Sequence, residues 1–175
     1  MRISKAAVAA TLVLGVAAPL GLAPPVHAAT GVVSDPVGDA GGPQRLDVTR
    51  ATVHNKDRLV VARVNLAEDE KGDIIVSLDP RGDSGLRLIA TKKADGSVRE
   101  QILPGAFTDR GDIDRPTPCR GLRVRWAEDV ARLAMPSACL HDGDYGAVRF
   151  SVLTENGADS DIAPDRGTSG WIPRG

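Results

Sequence analysis

Aromatic residues are scarce: Phe107, Trp126, Tyr145, Phe150 and Trp171 are the whole complement in 175 residues. Sugar-binding sites stack sugar faces on exposed rings, so this shortage leaves Tyr145 and Trp171 as the residues available for such contact. Histidine is scarcer still, with His27, His54 and His141. A serine or cysteine hydrolase needs a histidine base held by a carboxylate, and little is on offer. Neither sign of charge dominates, with 22 basic and 23 acidic side chains for a net charge of −1. That balance gives no overall basic character to draw in nucleic acid or an anionic membrane. Two cysteines are too few for a disulfide-dense miniprotein.

Residues 1–28 have the layout of a secretory signal peptide. Arg2 and Lys5 make a positive start, Ala6 to Ala23 is apolar, Pro24-Pro25 breaks the run, and Val26-His27-Ala28 suits a signal peptidase. An uncleaved anchor is the competing reading, weakened by Pro19, the glycines and the cleavage site. Removing 28 of the 175 residues leaves 147, with 20 basic and 23 acidic side chains once Arg2 and Lys5 have gone. The expectation is a secreted protein with no membrane span in the mature chain and one domain over residues 31–173.

Export changes the reading of Cys119 and Cys139, because an oxidising compartment favours pairing them. The residues between them alternate as strands do. Leu122, Val124 and Trp126 interleave with Arg123 and Arg125, and Ala131, Leu133 and Met135 interleave with Arg132 and Ala134. Ala127 to Val130 connects the two runs as a hairpin. Setting Val124 opposite Leu133 puts Trp126 opposite Ala131 on an apolar face, and Arg125 opposite Arg132 on the other. A bridge across this loop would stabilise by roughly 3 kcal/mol.

Period two recurs elsewhere. Val60, Ala62, Val64 and Leu66 form one face, followed by Ile74, Val76 and Leu78, then Leu86, Leu88 and Ala90, and later Val148, Phe150 and Val152. Turn formers separate the runs, among them Asp79-Pro80-Arg81-Gly82 and His141-Asp142-Gly143-Asp144. Strands spaced in this way predict an all-β, antiparallel β-sandwich, jelly-roll-like, with little helix beyond one turn at Leu66 to Lys71. The acidic stretch from Glu155 to Gly170 reads as a loop.

Several short motifs have a structural reading beside a chemical one. Gly82-Asp83-Ser84-Gly85 spells the nucleophile turn of trypsin-like proteases, but without their histidine setting it reads as a turn. Arg81-Gly82-Asp83 and Arg110-Gly111-Asp112 match an adhesion tripeptide that is cheap in so Gly-, Asp- and Arg-rich a chain. His54, His141 and Met135 are the available haem-ligand types. Arg123, Arg125 and Arg132 make either a solvated face or a seat for an anion, since opposed like charges cost stability. Asp35 and Asp39 flank one turn, and Glu155, Asp159, Asp161 and Asp165 crowd another. Such loops are solvated carboxylates or a calcium site, with Asp35, Asp39, Asp159 and Asp161 as candidate ligands. Pairing of the first and last strands would bring the two groups together.

Read from Ser34, the strings Asp35-Pro36-Val37-Gly38-Asp39, Leu46-Asp47-Val48-Thr49, Arg58-Leu59-Val60-Val61 and Ile75-Val76-Ser77-Leu78-Asp79 resemble actinobacterial secreted domains. Cys119, Met135 to Leu140 and Trp171 to Gly175 continue that pattern. The first half is similar to DOMON-like sandwiches and family-nine carbohydrate-binding modules, which implies a sugar or haem ligand. The combined expectation is a secreted, non-catalytic binding or structural module, with its acidic loops as a candidate calcium site and a cell-wall or extracellular glycan as candidate partner. Hydrolysis by loop carboxylates, as in a glycosidase, is the alternative.

Overall fold

Alternation along the chain produces ten strands in a computed structural model that describes residues 29–42, 46–110 and 119–175. The signal-peptide reading of residues 1–28 lies outside the described residues. In chain order the strands are β1 (Ala29–Ser34), β2 (Val48–Asn55), β3 (Leu59–Leu66), β4 (Gly72–Pro80) and β5 (Leu86–Lys92). Then follow β6 (Val98–Pro104), β7 (Arg123–Ala127), β8 (Val130–Pro136), β9 (Val148–Asn156) and β10 (Asp159–Ala163). The helical elements described are two short 3-10 turns, Ser137–Cys139 and His141–Gly143.

Two antiparallel five-stranded sheets result, ordered β1-β2-β3-β8-β7 and β10-β9-β4-β5-β6. The connections β3 to β4, β6 to β7 and β8 to β9 pass from one sheet to the other, so neither sheet is a simple meander. The apolar faces read from the sequence meet between the sheets. Val60, Ala62, Val64 and Leu66 from β3 join Ile74, Val76, Leu78, Leu88, Leu133, Met135 and Phe150 in one buried cluster. Each fully buried side chain of this size stabilises by roughly 1.5–3 kcal/mol. The fold is the expected β-sandwich.

The hairpin β7–β8 has the expected register, with Val124 opposite Leu133, Arg125 opposite Arg132 and Trp126 opposite Ala131. Cys119 and Cys139 are bonded, their Cα atoms 5.3 Å apart, which lies within the ordinary range for a disulfide.

Two local expectations differ from the structure. Leu66 to Lys71 makes no helical turn; β3 ends at Leu66, whose amide donates to the Asp129 carbonyl, and an extended connection leads to β4. The stretch after Glu155 is a hairpin rather than a loop, because β10 pairs with β9 from Asp159–Asn156 to Ala163–Val152. Its pattern is inverted: Asp161 is buried while Ile162 is exposed. A strand that turns a carboxylate inward and an isoleucine outward has no apolar signature to read.

Candidate functional site

Asp35 directly follows β1, and its amide donates to the Thr49 carbonyl at 3.1 Å, which ties it to the start of β2. The chain then turns through Val37 and Gly38, with Gly38 at φ 92°, a conformation that favours glycine. This turn carries Asp39 and brings the Gly38 amide to Asp47 Oδ2 at 2.5 Å. Asp47 immediately precedes β2 and is 2% exposed. Across the sandwich, Asp161 of β10 accepts a hydrogen bond from the Val48 amide at Oδ2, at 2.7 Å. Asp165 lies just beyond, after the cis Ala163-Pro164 bond.

These elements gather five carboxylates. One oxygen from each of Asp35, Asp39 and Asp165 lies within 4.8 Å of the others, and the same holds for Asp39, Asp47 and Asp161. Asp35 is 9% exposed, and its Oδ2, like Asp47 Oδ1, is buried without a hydrogen-bond partner. An unsatisfied buried carboxylate oxygen is costly, and none of the five joins an ion pair with a described basic residue. Burial, then the charges of Asp161, Asp39, Asp165 and Asp47, push the Asp35 carboxyl up to about 7. Burial likewise raises Asp161, aided by Asp39 and Asp47 and opposed by the Val48 and Ile162 amides. The carboxylates repel one another in a partly buried setting.

Oxygen-only ligands without histidine or thiolate suit a hard cation. Calcium bonds of about 2.4 Å allow ligand oxygens to lie up to about 4.8 Å apart, and calcium tolerates irregular shells of six to eight oxygens. Magnesium demands a tighter octahedron and retains its waters. The chain matches no family model, no curated protein and no solved structure.

Of the four carboxylates expected as ligands, Asp35, Asp39 and Asp161 come together, whereas Asp159 does not join either group. The Asp159 side chain occupies the space where a Cβ would stand at Gly42. Nor do the first and last strands pair; β1 and β10 are edges of different sheets. The acids converge because Gly41 bridges to Ser160 and Asp161 reaches across to Val48. Asp47 is the ligand type that sequence reasoning passed over. Its signal was a carboxylate wedged between Leu46 and Val48, both of which are core residues.

The two candidate ring contacts are otherwise engaged. Tyr145 is 8% exposed, and its hydroxyl donates to Asn55 Oδ1 at 3.0 Å. It belongs to the core rather than to an open sugar platform. Trp171 is 38% exposed, but the guanidiniums of Arg81 and Arg149 each lie 4.8 Å from its ring centroid. It borders a cleft of about 490 Å³ with Asp79, Asp83, Ser84 and Thr108. Asp79 Oδ2 there accepts from Thr108 Oγ1 and Arg149 Nε, both at 2.7 Å, which uses up the one buried carboxylate of the cleft.

Among the described residues, His54, His141 and Met135 do not form a haem pair. Met135 is buried in the core, while His54 lies on the outward side of β2 beside Thr30 Oγ1 at 2.8 Å. His141 Nε2 donates to the Ser84 carbonyl at 2.8 Å. A nitrogen that carries this proton cannot also accept one from the Ser84 hydroxyl.

Proposed function

We propose that this protein is an exported, non-catalytic β-sandwich module stabilised by calcium in the Asp35, Asp39, Asp47, Asp161 and Asp165 constellation. The observation that carries the reading is the pair of buried, unpartnered oxygens, Asp35 Oδ2 and Asp47 Oδ1, within a group of converging carboxylates that forms no ion pair with a described basic residue. Calcium would join the turn before β2 to β10, and so tie one edge of the sandwich together.

Export is supported by the signal-peptide layout and by the disulfide. The non-catalytic reading is supported by the commitments of the titratable groups. His141 holds the Ser84 carbonyl, Asp79 holds Arg149, and Tyr145 holds Asn55. A sugar-binding role of the DOMON-like or family-nine kind draws support only from the short strings that suggested it.

The test is thermal melting in 2 mM calcium against excess chelator. Extracellular calcium modules bind at about 10⁻⁴–10⁻³ M. At the tight end of that range, saturation gives about 1.8 kcal/mol, or roughly 4–7 °C in a domain of this size. Asp47→Asn should abolish the shift, and equal melts with and without calcium would refute the site. Turnover of aryl glycosides that disappears in Asp35→Asn would overturn the non-catalytic part and favour hydrolysis.

A further inference from the structure

The near-neutral net charge conceals a segregated surface. On β7–β8, Arg125 stands directly opposite Arg132, and on β3–β8 Arg132 stands directly opposite Arg63. Three exposed arginines therefore form one lateral row on the outward face of the β1-β2-β3-β8-β7 sheet. Arg123 and Arg50 flank that row on neighbouring outward positions, with His54 on β2. In the β2–β3 turn the exposed Lys56 and Arg58 flank one acid, Asp57, and leave that turn with a net charge of +1. No strand of this face turns an Asp or Glu outward.

Adjacent strands lie about 4.8 Å apart, and like charges directly opposed are destabilising. None of Arg50, Arg63, Arg123, Arg125 and Arg132 makes an ion pair with a described residue. The acids of the flanking turns, Asp57 between β2 and β3, Glu128 and Asp129 between β7 and β8, and Glu68, Asp69 and Glu70 after β3, form no ion pair with the row. His54 registers the resulting field: burial, then Lys56 and Arg132, hold its imidazole below the usual range. The outer face of the other sheet is different, with Asp73, Asp79 and Glu155 interspersed among Arg87 and Arg149.

We propose that the outward face of the β1-β2-β3-β8-β7 sheet docks an acidic polysaccharide, held by arginine–carboxylate pairs along the Arg63, Arg132 and Arg125 row. Arginine presents a planar, weakly hydrated fork that fits carboxylates in two-pronged fashion. Successive strands repeat that fork about every 4.8 Å, and Arg63 and Arg125, two strands apart, about every 10 Å, which suits an extended polymer bearing an acid group on every sugar or on every second one. Nucleic acid fits less well. Single strands are held by base stacking on aromatic rings, and this face presents none; its one aromatic residue, Trp126, turns inward. The choice of an extracellular polymer rests on the export reading above, whereas the arginine row stands independently of the calcium site.

The experiment measures binding of the purified protein to immobilised hyaluronan, to neutral dextran and to a single-stranded oligonucleotide, all in chelator and at low salt. Binding to hyaluronan but not to dextran, weakened by added salt, is expected. R63E/R125E/R132E should weaken it by about tenfold or more. These positions are exposed; R63Q/R125Q/R132Q removes the opposed charges and should melt at an equal or higher temperature, whereas the glutamate triple sets acid opposite acid and serves as the charge reversal alone. Absence of hyaluronan binding, binding that both triple variants retain, or an oligonucleotide bound as tightly as hyaluronan would each overturn the proposal. Melting of the same variants with and without calcium keeps failure here distinct from failure of the acidic site.

Discussion

Tyr145→Phe removes one oxygen from the middle of a closed set of hydrogen bonds. Asn55 is fully buried; its Nδ2 donates to the carbonyls of Ile172 at 3.0 Å and Gly146 at 3.4 Å, and its Oδ1 accepts from Tyr145 at 3.0 Å. The phenylalanine ring keeps the packing, and the Arg174 guanidinium 5.0 Å from the ring centroid is not displaced. Asn55 Oδ1 is left buried without a donor, at a cost of about 1–3 kcal/mol. A 2 kcal/mol loss corresponds to a fall of roughly 4–8 °C in melting temperature for a domain of this length. Urea unfolding should show a lower midpoint with an unchanged slope, since the surface exposed on unfolding is the same. In the cycle with Asn55→Ala, the double variant should cost less than the two single variants together, because each already breaks the shared bond. A Tyr145→Phe variant as stable as the parent, or strict additivity in the cycle, would refute this account. A stable variant that had lost retention on a polysaccharide would instead return Tyr145 to the ligand-contact role.

Two further outcomes can be checked in the same assays. Cys119 and Cys139 close a loop with a sequence separation of 20, so reduction or Cys119→Ala/Cys139→Ala should cost roughly 3 kcal/mol, seen as a melting temperature lower by about 6–12 °C. His54 is held below its unfolded value by burial and by Lys56 and Arg132, so the folded state binds its proton less readily than the unfolded state. Its contribution is therefore complete above about pH 6.5 and is lost as pH falls through the folded value. Between pH 7.5 and 5 the parent should lose more stability than His54→Gln, and parallel pH profiles would contradict the assignment.

Much of the architecture was legible wherever one side of a strand is uniformly apolar. β3, β4, β5, β9 and the β7–β8 hairpin all follow that rule, and the opposition of Arg125 and Arg132 follows from hairpin register. Arg63 could not be added to the row in the same way, since its place depends on β3 pairing with β8, a contact between distant segments. β10 escaped because hydrogen bonds to β9 and the Asp161–Val48 bond, rather than an apolar stripe, hold it in place. The acidic residues near Asp35 and Asp161 were recognisable as groups, but the cause of their meeting was not. Asp47 shows the limit: its letter gives polarity, while its burial comes from the Leu46 and Val48 side chains on either side entering the core.

The four outer strands of the sandwich differ in how they discourage unwanted partners. β6 carries Arg99 and Glu100, β7 carries Arg123 and Arg125, and β10 carries Asp159 and Asp161. Charged side chains on an edge make the addition of a foreign strand unfavourable. β1 reads Ala-Thr-Gly-Val-Val-Ser and has no charge at all, with Val32 turned to solvent. Self-association by strand addition is thereby steered to one margin of the molecule, and aggregates grown from concentrated solution should share that seam.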